Sequence, residues 1–159
     1  MGAWDMLMDN HILICAFLGY FIAQIVKAAI EGVMNKTFSL RRLLTGNGGM
    51  PSSHSATVCA MAATAGLECG LASPVFAVTV VFAIVVMTDA SGVRQETGKQ
   101  AVIINEMMNH FKNLAAEGFN PEFAHEKLKE FIGHTPTQVC AGGLLGLIIA
   151  FAMHYGVWM

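Results

Sequence analysis

The sequence predicts an all-α fold, a polytopic membrane helical bundle of about four spans, and three observations predict it. Hydrophobic residues fill 55% of the 159 positions against 13% charged ones, and the mean hydropathy is +0.56. They are gathered in blocks separated by polar connections, which suits bilayer crossings better than an oversized soluble core. The blocks open beside helix-starting residues, and because a membrane helix satisfies its own backbone groups, runs rich in Val and Ile are read here as helices. A chain of this length is most simply one membrane-embedded domain, 1–159. With a net charge of −2 and no basic cluster of the usual kind, nothing indicates a nucleic-acid partner.

Asp5 and Asp9 stand where a cleavable signal would carry Lys or Arg, so the first apolar run is expected to stay in the mature protein. That run, 12–30, has Gln24 and Lys27 toward its far end and is long enough to cross a bilayer. Residues 31–49 form a polar, glycine-containing connection holding Lys36, Arg41 and Arg42. A second helix starts near Pro51 and Ser52, a good cap, and runs to about Leu71. After a turn at 70–74, the run 75–87 makes a third span; both middle runs are short, so tilt or local bilayer thinning is expected.

Residues 89–133 are the one long polar region. Within it Ile104, Met107, Met108, Phe111 and Ala115 recur at helical spacing opposite Asn105, Asn109 and Lys112, which predicts an amphipathic helix over 102–116. Its apolar stripe is expected to pack on the spans in preference to lying on the bilayer surface, because its polar face is not strongly basic. A shorter helix, 121–131, should follow. The last span opens at Thr135 and Pro136, a cap with Pro in the first turn, and ends near Trp158, with Tyr155 and Trp158 suited to the interfacial belt.

Every Lys and Arg lies on or next to the side shared by the connection after the first span and the region after the third, which places both in the cytoplasm by the positive-inside rule. Cys15, Cys59, Cys69 and Cys140 lack CxxC or zinc spacing and read as small buried hydrophobes. His11, His110, His125 and His154 have nothing around them that suggests chemistry and read as surface or interfacial residues.

Two stretches do suggest chemistry: 46–54, ending in Pro51-Ser52-Ser53-His54, and 133–136, containing His134. A phosphoryl group needs donors and positive charge for its oxygens, an in-line nucleophile, and an acid for the leaving oxygen. Ser52, Ser53 and the amides of a helix start make an anion cradle, and Gly49 lets the backbone approach closely. Arg94 can grip two oxygens at once, and Arg41 or Arg42 supplies a second clamp. The two histidines provide a nucleophile and an acid, with no metal or cofactor required. Duller readings stand beside these: Pro-Ser-Ser is also an ordinary cap, Arg41 and Arg42 also act as topology determinants, and Asp89 either serves a site or caps the following helix.

These residues resemble a family. GGMPSSHSA at 48–56 resembles the Pro-Ser-Gly-His motif of the type 2 phosphatidic acid phosphatase superfamily, with Ser53 in the glycine's place, and GHTPTQVCAGGLLG at 133–146 resembles its final histidine motif. DASGVR at 89–94 is similar to the superfamily's Ser-Arg element. The chain as a whole resembles a divergent branch of small membrane proteins, acid phosphatase/vanadium-dependent haloperoxidase-related. The resemblance implies that His134 is the nucleophile forming a phosphohistidine, that His54 is the general acid, and that Arg94 with the Ser52 region binds phosphate. It puts Arg41 or Arg42 in the place of the first basic motif, although the Lys-x6-Arg-Pro spacing is not reproduced from Lys36. Gln138 stands where a carboxylate normally follows the nucleophile; it can orient the ring but brings no charge, a deficit that Asp89 or Glu106 could offset.

The expected function is therefore an integral membrane phosphatase of a bacterial cell membrane, acting on a lipid phosphate or pyrophosphate. The alternative is a non-catalytic protein that binds or translocates phosphate-bearing lipids. Membrane lipids are the expected surroundings, and a homo-oligomer stays open.

Overall fold

In the computed structural model, which describes residues 2–35, 49–114, 128, 130 and 133–159, the described residues form helices and no strand. A short α1 (Ala3–Met8), not anticipated from the sequence, precedes α2 (His11–Asn35). Then come α3 (Ser53–Cys69), α4 (Pro74–Ser91), α5 (Val93–Leu114) and α6 (Pro136–Met153), which ends in a π-helical turn, His154–Trp158.

The helix starts follow from local chemistry. Ser52, Ser73 and Thr135 each accept a backbone N–H from three residues on, at 3.4, 3.1 and 3.4 Å. These bonds satisfy donors that a helix start leaves unpaired. Pro74 and Pro136 occupy first-turn positions where a missing N–H costs nothing.

α3 is the central helix, packed against α2, α4 and α6. Its contacts are built from small residues: Ala23, Ala56, Ala60, Ala65 and Ala150 are completely enclosed. A Cβ on Gly19 would lie 2.8 Å from the Ala56 carbonyl oxygen, and side chains at Gly142 and Gly146 would collide with the carbonyls of Ser52 and Ala56. Backbones that approach this closely gain dispersion contacts where lipid offers no hydrophobic drive between helices. The large apolar side chains point outward instead, among them Phe17, Phe21 and Ile25 on α2, Val78 and Phe82 on α4, and Ile148 and Phe151 on α6. Such an arrangement is costly in water and favourable in lipid, so the chain is an integral membrane protein.

Among the described residues, three stretches are long and apolar enough to cross a bilayer: His11–Val33, Pro74–Phe111 and Pro136–Trp158. α3, the second of the four expected spans, has 17 residues and is the enclosed one. The turn at Gly70, with φ +83, sends α4 back alongside it.

Several expectations need correction. The stripe on α5 does not pack on the spans: Ile104, Met107 and Phe111 are exposed, and of the polar face Asn109 is exposed while Asn105 is buried together with Ala101. Helical spacing identified a face but not its direction, because Asn105 finds polar partners inside. Asp89 caps no helix; it lies in the last turn of α4, which continues past it to Ser91. Cys15 is buried and Cys59 partly so, but Cys69 and Cys140 are exposed, which costs a thiol little on an apolar outer surface. Of the expected helix over 121–131 the described residues include 128 and 130, and neither is helical; Lys36, Arg41, Arg42, Ala115 and Ala116 lie outside the described residues.

Candidate active site

Backbone hydrogen bonds draw the three motif-bearing segments together at one end of the bundle. The Ser52 N–H donates to the Gln138 carbonyl at 3.0 Å, tying the start of α3 to the first turn of α6. The His134 N–H donates to the Ala90 carbonyl at 2.9 Å, tying the approach to α6 to the end of α4. Gly133, at φ +110, lies against the start of α5 so closely that a Cβ would fall 2.6 Å from the Gln95 nitrogen. Only glycine meets both demands, which fixes His134 beside Arg94.

The rings of His54 and His134 lie with centroids 6.0 Å apart, tilted by 60°. His134 is buried and His54 is exposed at the edge of the site. Gln138 Oε1 lies 3.2 Å from His134 Nδ1 and also accepts the Thr135 backbone N–H at 3.1 Å. A backbone N–H can only donate, so the Gln138 atom facing it is the oxygen. That same oxygen then requires a proton on Nδ1, which leaves the lone pair of the neutral ring on Nε2. Burial holds the His134 imidazole below the usual histidine range; the Gln138 bond opposes this, nearby Lys27 and His54 reinforce it, and the Gly49 backbone, which favours the protonated ring, opposes it again.

Positive charge comes from two elements. Arg94, at the start of α5, pairs with Asp89 through Nε at 2.6 Å, and its charge acts on His54. Both partners are substantially exposed, so the pair is open to exchange with a ligand. Lys27, on α2, is almost completely buried, and its charge acts on both histidines. Gly49, at φ +85, lies over the Lys27 side chain and Glu31. Sequence reasoning counted Lys27 only for topology, yet a lysine inside an apolar run is itself a signal, because a buried ammonium survives only where something uses it.

The other expected residues are placed as follows. Ser52 and Ser53 are enclosed, and the Ser52 hydroxyl is engaged as the α3 cap. Arg41 and Arg42 lie outside the described residues. Glu106 lines a shallow surface pocket on α5 with Ile103, Met107, His110 and Phe111, while Gln138 holds the His134 Nδ1.

At the opposite end of the bundle, His11 and His154 are not isolated as the sequence suggested. Their Nδ1 atoms lie 3.3 and 3.2 Å from the two carboxylate oxygens of Glu68, joining the ends of α2, α3 and α6.

A lipid-facing bundle with a paired-histidine, cation-bearing end defines a membrane protein of the PAP2 type. The chain belongs to the family described as the Divergent PAP2 family, whose model matches residues 8–149. It is 38% identical over 154 residues to a protein of Bacillus subtilis (strain 168) named "Uncharacterized membrane protein YuiD", covering 94% of this chain and 97% of that protein. No solved structure matches it.

Proposed function

We propose that this protein is a membrane phosphatase that removes phosphate from a lipid phosphate or pyrophosphate through a phosphohistidine on His134. The observation that carries this reading is the facing of His54 and His134 at 6.0 Å in a site where Lys27 and Arg94 also act. Neutral His134 directs its Nε2 lone pair at phosphorus. As the N–P bond forms, the P–O bond to the lipid or diphosphate leaving group breaks. His54, in its protonated form, gives that oxygen its proton. Water then attacks the phosphohistidine with His54 as base, the N–P bond breaks, and phosphate leaves. Arg94, Lys27, Gly49 and the amides of the α3 start around Ser52 and Ser53 stabilise the charge that collects on the equatorial oxygens. Asp89 holds Arg94 ready for this exchange, and Arg41 or Arg42 supplies a second clamp. The lipid tail stays among the outward apolar faces, and the site faces the cytoplasm, the side that carries the Lys and Arg residues.

Gln138 favours a second reading, in which the same pocket binds or moves phosphate-bearing lipids without turnover, because an amide does not stabilise an imidazolium as a carboxylate does. One experiment separates the two. Purified protein is given a panel of glycerolipid and isoprenoid phosphates with EDTA present, and phosphate release is measured for wild type, His134→Ala and His54→Ala. Turnover lost in both variants, with acid-labile phosphate trapped on wild type, supports the phosphatase. Equal rates in all three eliminate it, and binding without turnover that Arg94→Ala abolishes selects the second reading.

A further inference from the structure

Among the described residues of the long connection between Arg94 and His134, Asn105 makes more bonds than helix packing needs. Asn105 is buried on α5 and uses its whole carboxamide. Its Oδ1 accepts the Leu128 N–H at 3.0 Å, while Nδ2 donates to the Leu128 carbonyl at 2.9 Å and to Glu130 Oε1 at 2.8 Å. The first two bonds reproduce with a side chain the paired donor and acceptor of a neighbouring strand, so the returning chain is held to α5 by its backbone, independent of side-chain identity at 128. Beyond that point the chain reaches Gly133, again pressed on α5 at Arg94 and Gln95, and then His134, whose N–H is bound to Ala90. One helix thus carries Arg94 in its first turn and also receives the segment that delivers His134.

We infer that Asn105 is a positioning residue which, by clamping Leu128 and Glu130 to α5, keeps His134 in register with Arg94. It touches neither the phosphate nor the reacting atoms. The clamp acts through geometry: without it the backbone groups of Leu128 lose these partners, and the approach to α6 is held more loosely. A nucleophile displaced by about 1 Å loses on the order of 100-fold in rate. The kinetic part of this inference rests on the phosphatase reading; the structural part does not.

The test therefore has two readouts. Wild type, Asn105→Ala, Asn105→Asp and Asn105→Asp/Glu130→Gln are treated with diethylpyrocarbonate in detergent micelles, and carbethoxylation of each histidine is followed by peptide mapping. His134 in Asn105→Ala and Asn105→Asp is expected to react on the order of tenfold faster or more, the consequence of losing two or three buried hydrogen bonds. His11 and His154, at the far end, should react at the wild-type rate, which separates local release from unfolding. The double variant should recover part of the protection, because the new amide at 130 can donate to the new carboxylate at 105. In parallel, kcat for a lipid phosphate should fall in Asn105→Ala with KM within about twofold, since the phosphate-holding cations are untouched. Unchanged His134 protection overturns the inference whatever the activity. Faster His11 and His154 modification in step with His134 overturns it too, as general destabilisation. Lost protection in a protein whose wild type hydrolyses nothing leaves the clamp standing and removes the phosphatase.

Discussion

Gln138 Oε1 receives Nδ1 of His134 and the N–H of Thr135 together, so one oxygen both starts α6 and sets the tautomer of the buried imidazole. Gln138→Glu keeps the reach and the capping geometry while adding the missing charge. His134 then holds its proton to higher pH, and the acid limb of kcat/KM against pH moves upward with it. Gln138→Leu loses both functions and should lower kcat on the order of 100-fold or more, read from initial rates of phosphate release.

The His134 imidazole sits below the usual histidine range in the folded chain, first because it is buried. The unfolded chain therefore takes up a proton at this position near pH 6.5 that the folded chain refuses. More protons bound by the unfolded state means that stability rises with pH, so it falls as pH drops below about 6.5. Unfolding midpoints in detergent should show that loss in wild type, and His134→Gln should show less of it.

Lys27→Met replaces a buried ammonium with an apolar chain of similar length. Orthovanadate, a phosphate mimic, should bind on the order of 10- to 100-fold more weakly, the effect of one charge-assisted contact. Displacement titration with the bundle shown intact by circular dichroism measures it, and an unchanged affinity removes Lys27 from the site.

Two glycines on the last element give opposite expectations. Gly142→Ala drives a methyl group into the Ser52 carbonyl and should cost about 1–3 kcal/mol of stability. Gly156→Ala meets nothing within 4 Å and, lying in a helical turn, should be neutral or slightly stabilising. Thermal melts of the two variants side by side decide it.

The helices were readable in the sequence because apolar blocks and their caps are local: Ser52, Thr135 and Pro136 act on their own first turns. The histidine pair was readable from motifs for the same reason. What escaped depends on partners distant in sequence. Asn105 looks like a solvent-facing residue until Leu128 and Glu130 arrive beside it. Lys27 looks like a topology marker until Gly49 folds over it. His11 and His154 acquire meaning only through Glu68. Periodicity reports which side chains share a face and is silent on what lies opposite.

The stacking of His11 on the Trp158 indole at 3.9 Å has a practical corollary. The beginning of α2 and the close of the final turn are neighbours on one surface, remote from the end that holds His54 and His134. Fluorescent or enzymatic reporters joined ahead of the one or behind the other must share a compartment, so a mismatch between them would reveal a misinserted chain. A short peptide joining the two would make a ring without spanning the bilayer.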